Sequence, residues 1–496
     1  MPRLSALALS LCTLGLLAQA PAKTDKKPEK PHFEFGVPDD AFTSDVSKLL
    51  KEVADHQRAY ADLQEMTDTI GPRLTGSQKL RDAQKWAMDK LKSYGAVNVH
   101  EEAYDFGKPW FRGKATAKLL NCNGQQLEVA QWAWTNGTPG PIKGEVALLD
   151  VKTLDELKAA LPGLAGKIVL SVSRPRPTPE QRKNMDAYIK AYIDVMKDAK
   201  FAALLMSSEK DNGFLTMSGS PNPRWSTGSA TPMAVVSKEH ANLLKRLIKE
   251  DGQRPQIELE LGGHLGDAPV QAYNVVAEIR GSEKPDEVVI VGGHHDSWDL
   301  STGATDNGTG TVVAMETLRA IKALGVAPKR TIRVILFSGE EEGLLGSNAY
   351  VNAHKDEMAN IQAVLVDDMG TGQIQGWPDM NQEQWRGYLA QAMAPTNNLG
   401  CTEIGAFIQP GDTDHWPFYE QGVPAFAAIQ DPVDYMTMTH HSQVDSLEHV
   451  RKDDLTQGAQ CMASAAWMFA NMAERVPHIP PTAKPEDKKD DKKASH

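Results

Sequence analysis

Val288-Val289-Ile290-Val291-Gly292-Gly293-His294-His295-Asp296-Ser297-Trp298-Asp299 sets a β-branched apolar run directly against a cluster of histidine and aspartate. Four consecutive β-branched residues read as a strand buried on both faces, the pattern of a parallel sheet. Downstream the texture repeats. A helical stretch from Thr309 to Leu324 leads to the strand Thr331 to Phe337. A helix to about His354 then leads to a third strand, Ile361 to Val366. Strands alternating with helices argue an α/β fold around a largely parallel sheet. A last helix is expected over about Asp453 to Ala473.

Upstream, helical periodicity starts near Asp45 and runs past Tyr60. Ser77 is placed to cap a second helix that reaches Tyr94 and stops at Gly95. From about Phe106 to Gly266 short strand-like runs, such as 144–149 and 166–170, alternate with loops and read as an inserted accessory domain. The expected organisation is a signal peptide over 1–22, a Pro- and Lys-rich linker over 23–42, and the first part of the main domain over 43–105. The insert covers 106–266, the catalytic part 267–475, and a disordered charged tail 476–496.

The signal rests on Arg3, the apolar run Leu4 to Ala20 and its Ala-Gln-Ala ending, with cleavage after Ala20 or Ala22. That run is shorter than the ~20 residues of a spanning helix, so export to a periplasmic or secreted location is expected, without stable membrane insertion. The 496 residues carry 53 Lys and Arg against 65 Asp and Glu, a net charge of −12. Such a surface repels phosphate backbones, which excludes non-specific nucleic-acid binding. Four cysteines in so long a chain cannot scaffold it. With Cys12 in the signal, Cys122, Cys401 and Cys461 remain, an odd number.

The chemistry gathers at the expected strand ends. His294 and Asp296, then Asp306-Asn307-Gly308, follow the first strand. Glu340-Glu341-Glu342 follows the second and Asp367-Asp368 the third, while His440-His441 and Asp445 come much later. Sites in open α/β sheets lie at the carboxyl ends of the strands. A Glu-Glu-Glu run alone is commonly a solvated face, and Asp-Asn-Gly a common turn; clusters at the ends of three expected strands are a different matter. Two imidazoles and three carboxylates suit two borderline cations such as zinc, bridged by a carboxylate. Two Zn²⁺ would balance Asp306, Glu341, Asp368 and a shared hydroxide. One further carboxylate must stay off the metals to move a proton, so Glu340 and Glu341 divide into base and ligand. Asp296 either caps a turn or orients His294, and Asp445 has the same two readings. Trp298 reads as packing; His295, His264, His354 and His449 read as structural or surface residues. No Gly-x-Ser-x-Gly elbow and no His-Glu-x-x-His helix is present, which excludes the usual serine-hydrolase and one-zinc protease designs.

The segment from Gly292 to Asp299, Asp306-Asn307-Gly308, Glu340 to Ser347 and His441-Ser442 together resemble the co-catalytic dizinc exopeptidase family. Asp68 to Ser77 and the doubled His440-His441 are most similar to its carboxypeptidase Q type. The resemblance covers about residues 45 to 475. It implies a three-layer α/β/α fold with a mixed, largely parallel sheet and a β-rich protease-associated insert. It implies two Zn²⁺ per chain, with His294 and Asp368 on one, Glu341 and His441 on the other, and Asp306 bridging. Glu340 would be general base and acid, Asp296 the carboxylate behind the first histidine, and the Asp306–Asn307 bond cis. His440 stands where some members have a tyrosine that stabilises the oxyanion. Asp414 and His415, in the segment 411–418, either touch substrate or cap the following helix. The implied activity is hydrolysis of dipeptides or short peptides by a metal-activated hydroxide, with an aminopeptidase on the same scaffold as the alternative. Glutaminyl cyclases and receptor ectodomains of the same fold lack part of this donor set. Members often dimerise, so a homodimer is a candidate assembly.

Overall fold

The structure, a computed structural model, describes residues 40–221, 231–405 and 413–481, with side chains from residue 45 onward. The expected signal, most of the linker, the tail beyond 481, and Gly411 and Asp412 lie outside the described residues.

Six strands form the main sheet: β1 (Val97–Gly107), β2 (Val270–Ile279), β3 (Lys284–His294), β4 (Arg330–Phe337), β5 (Ile361–Val366) and β6 (Ala425–Ala427). Their spatial order is β1-β2-β4-β3-β5-β6. The last four run parallel, while β1 and β2 add an antiparallel edge. The sheet is mixed and largely parallel, as expected. All of Val288–His294 in β3 and all of β5 are buried, so the sheet is covered on both faces. Each such Val, Ile or Leu contributes ~1.5–3 kcal/mol by leaving water.

The covering helices include α1 (Asp40–His56), α2 (Ala59–Glu65), α3 (Gln78–Ser93), α4 (Thr309–Ala323), α5 (Leu345–Ala353) and α6 (Lys452–Asn471). Helix α4 is buried almost all round because it lies between β3 and α6. Ser77 caps α3 as expected, its Oγ accepting from Leu80 N at 3.2 Å, and Gly95 follows with φ of 86°. The helix expected to run unbroken past Tyr60 is instead two, α1 and α2. The N–H of Arg58 turns to Glu316 on α4 (3.0 Å), and Gln57 Oε1 takes the Tyr60 N–H (3.1 Å). A tertiary partner thus interrupts a pattern that local periodicity would continue.

The insert carries an eight-stranded sheet. Four of its strands, Ile142–Leu149, Ile168–Ser171, Ala203–Ser207 and Met233–Val236, are parallel neighbours. Helices Leu154–Ala160, Met185–Met196 and Lys238–Lys249 connect or flank them, where loops alone were expected. Thr153, Asn184 and Ser237 accept the capping hydrogen bonds of these three helices. Among the described residues no helix is long and apolar enough to cross a membrane. Cys122 is exposed, Cys401 and Cys461 are buried, and all three are free thiols.

Parallel register is what assembles the site. His294 lies level with Phe337 and Gly292 with Val366, so the residues after β3, β4 and β5 leave the sheet at one edge. Helix α4 starts against that edge. A Cβ on Gly310 would stand 2.1 Å from Asp367 O and 2.5 Å from Asn307 Oδ1. Gly310→Ala is therefore expected to lower stability by ~1–3 kcal/mol, the usual size of overpacking, read as a fall in chemical-denaturation midpoint. An unchanged midpoint would show that the helix start can give way.

Candidate metal centre

His294 ends β3 and is 1% exposed. Its Nδ1 lies 3.0 Å from the carbonyl oxygen of Asp296, which fixes the ring. Its Nε2 points into the cleft, 3.1 Å from Asp368 Oδ1 and 3.3 Å from Asp306 Oδ1. On the other side, His441 Nε2 lies 2.9 Å from Glu341 Oε2 and 3.7 Å from Asp306 Oδ2. The two oxygens of Asp306 thus face two different histidine–carboxylate pairs. His441 holds a left-handed backbone (φ 57°), and the Asp306–Asn307 peptide is cis.

Asp306 is aimed by Asp445, not by its own turn. Asp445 Oδ2 accepts the Asp306 N–H at 3.0 Å, while Oδ1 accepts from the N–H (2.6 Å) and hydroxyl (2.7 Å) of Thr305. The sequence reading of Asp445 offered a turn cap or a partner for a histidine; its carboxylate instead holds the backbone of Thr305 and Asp306. Glu340 sits apart from the tight pairs, its Oε2 3.9 Å from His294 Nε2. The turn after β4 holds it there: Gly343 and Leu344 donate to Glu340 O at 2.8 and 2.9 Å.

Asp296 does something other than receive the ring proton of His294 on its carboxylate, whose nearer oxygen is 3.6 Å away. Its Oδ2 instead accepts from Thr75 Oγ1 (2.9 Å) and from the Glu341 N–H (3.4 Å), tying three loops together. His440 stacks on His441 with centroids 3.8 Å apart and meets the Tyr435 ring edge-on at 5.0 Å. One ring nitrogen of His440 and of His441 can share a centre with Asp306, as can His294, Asp306 and Asp368. Asp414 and His415 are fully buried, and the side chain of His415 caps nothing.

Several buried polar atoms have no partner among the described residues, including Asp306 Oδ2, Glu341 Oε1 and both carboxylate oxygens of Glu342 and Asp414. Unsatisfied buried carboxylates are costly. A divalent cation between the two pairs would satisfy the first two, so the donor set fits metal. The electrostatics agree. Burial pushes the carboxyls of Glu340 and Glu341 well up, and neighbouring carboxylates (Asp368 for the first, Asp306 for the second) push them further. Asp306 is held low against the effect of burial by its hydrogen bond to His294 and the charges of His440, His441 and His294.

Residues 274–466 match the model of peptidase family M28. The chain is 30% identical over 422 residues to carboxypeptidase Q of Bos taurus, covering 85% of this chain and 87% of that one. The chain belongs to peptidase family M28. It is thereby a metalloexopeptidase of that zinc-exopeptidase family, like carboxypeptidase Q. A solved M28 peptidase precursor from Shewanella amazonensis superposes with a TM-score of 0.77 at 28% identity, covering 90% of this chain and 100% of that one. A zinc aminopeptidase from Bacillus subtilis shares the fold, with a TM-score of 0.61 at 20% identity over 86% of this chain and 98% of that one.

In this M28 chain the insert is part of the site wall. Thr216 bridges Ser442, Met217 N donates to His441 O at 2.7 Å, and Ser220 Oγ donates to Glu342 O at 3.1 Å. Trp298 packs edge-on to both His441 (5.8 Å) and Trp134 of the insert (6.3 Å). Arg112 of the insert pairs with Asp299 at 2.6 Å. Sequence reasoning left Arg73, Thr75 and Lys210 without roles. Arg73 is fully buried and donates to the carbonyls of Gly71, His295, Thr302 and Gly303, which clamps the loop between His294 and Asp306. Burial, offset by Asp445, Asp296 and Asp306, brings its guanidinium down to about 10. The Asp68–Ser77 motif was the signal for Arg73 and Thr75. Lys210 stands in a segment without any motif.

Proposed function

We propose that this chain is an exported dizinc exopeptidase that hydrolyses dipeptides or short peptides in the manner of carboxypeptidase Q. The observation that carries the reading is the split orientation of Asp306, one oxygen toward His294 and Asp368, the other toward His441 and Glu341. His294 and Asp368 would hold one zinc, His441 and Glu341 the other, and Asp306 both. When bound, such a pair lowers the pKa of a water and polarises the scissile carbonyl.

The protein's own groups do the rest. Asp445 and Thr305 keep Asp306 aimed between the two pairs. Glu340, close to the cluster but outside its tight contacts, takes the proton of the attacking water on its carboxylate and returns it to the leaving amine. Backbone hydrogen bonds across residues 339–345 fix the main chain from which this carboxylate projects. The insert touches the loops that carry His441 and Glu342, and we infer that it bounds the substrate cleft. Export rests on residues 1–22, and fractionation of producing cells should find the mature chain outside the cytoplasm.

Paired assays test the reading. Metal analysis should give two zinc per chain; one would favour cyclase chemistry and none a binding role. Dipeptides with free and N-acetylated amino ends should both be cleaved. Complete loss on acetylation would assign the enzyme to aminopeptidases instead.

A further inference from the structure

Lys210 belongs to the insert, in the segment that docks on the loop carrying His440 and His441. It is 7% exposed. Its Nζ donates to one backbone carbonyl, Met436 O, at 2.8 Å. Among the described residues no carboxylate lies within ion-pair distance of it. The acidic groups that act on it are its neighbour Glu209 and Asp306. In turn its charge is felt by both His440 and His441. An ammonium has three donors and, among the described residues, one of them is used here, in a largely dry position.

Burying a cation without an anion costs several kcal/mol in ordinary circumstances, and proteins seldom keep one unless something arrives to pair with it. Arg73, the other buried cation near Asp306, cannot play that part. Its guanidinium is spent on four carbonyls and is fully enclosed. A peptide whose scissile carbonyl lies at Asp306 has its terminal carboxylate within one residue of that carbonyl when it is a dipeptide.

We propose that Lys210 binds the free α-carboxylate of the substrate, so that the insert selects dipeptides and free carboxyl ends. This rests on the exopeptidase reading above for its substrate and deepens it by naming the group that is recognised. Met436 O and the bridge from Thr216 to Ser442 hold the lysine to the loop of His441.

The test compares a dipeptide with its C-terminal amide on the zinc-loaded protein. Lys210→Met should raise KM for the free acid about 10- to 100-fold, the size of one charge-assisted hydrogen bond, with kcat changed far less. KM for the amide should not move, and Lys210→Arg should restore most of the preference. Equal losses on acid and amide, or a wild-type enzyme indifferent to amidation, would overturn the proposal. Calorimetric binding of the same two dipeptides to Glu340→Gln, with and without Lys210→Met, separates the two claims. If nothing is hydrolysed, the exopeptidase reading fails, while the acid-to-amide binding ratio still decides the role of Lys210. Unequal melting temperatures of wild type and Lys210→Arg would not affect that ratio, which is taken within each protein.

Discussion

Glu340→Gln is expected to keep two zinc per chain and to lose ~10²–10⁴ of kcat, the usual contribution of a positioned acid–base group. Glutamine is nearly isosteric and still fits the turn closed by Gly343 and Leu344, so folding should survive. It cannot accept and return a proton. Glu340 lies outside the two tight pairs, 3.9 Å from His294 Nε2, and its removal should therefore leave metal content unchanged. Glu341→Gln makes the contrast, since Glu341 is 2.9 Å from His441; it should lose metal as well as rate. Near-normal kcat in Glu340→Gln, or equal metal loss in both variants, would reassign the base.

Stripping the metal with a chelator should lower the melting temperature by ~5–10 °C at pH 8 and by much less at pH 5. The sign follows from carboxyls raised in the folded, metal-free chain. Burial and the Asp368 charge bring Asp367 up to about 7. Burial and Asp306 bring Asp445 to about 7. Burial, with Asp368 and Asp296 adding to it, brings Asp414 to about 8. The ordinary value for these groups is 3.8. The folded state therefore holds more protons than the unfolded chain between those limits. The stability this contributes is complete below about pH 4 and is lost as pH rises through 7 to 8. Bound cations supply the missing positive charge, so the gap between loaded and stripped protein should widen with pH. Parallel melting curves across that range would contradict a crowded carboxylate cluster.

Much of the site was legible because each cluster abuts a recognisable strand. His294 follows the β-branched run 288–291, Glu340 and Glu341 follow 331–337, and Asp368 follows 361–366. Period and composition mark such strands, and parallel pairing forces their ends to one edge. His441 was not legible in this way, since no strand precedes it; only its resemblance to a known pattern placed it. The part played by Asp296 was half legible. Its nearness to His294 could be read, but its backbone oxygen takes the ring contact and its carboxylate binds Thr75, a partner more than two hundred positions away.

The sequence by itself determined the α/β character, the donor types and the residues that could carry metal, because periodicity and side-chain chemistry are local properties. Tertiary structure alone decided that α1 and α2 separate at Arg58, that Asp445 aims Asp306, and that the insert brings Lys210 to the loop of His441. Those outcomes depend on contacts between segments far apart in the chain. Nothing in the local pattern of either segment encodes the other, and only the packed fold brings them to hydrogen-bond distance.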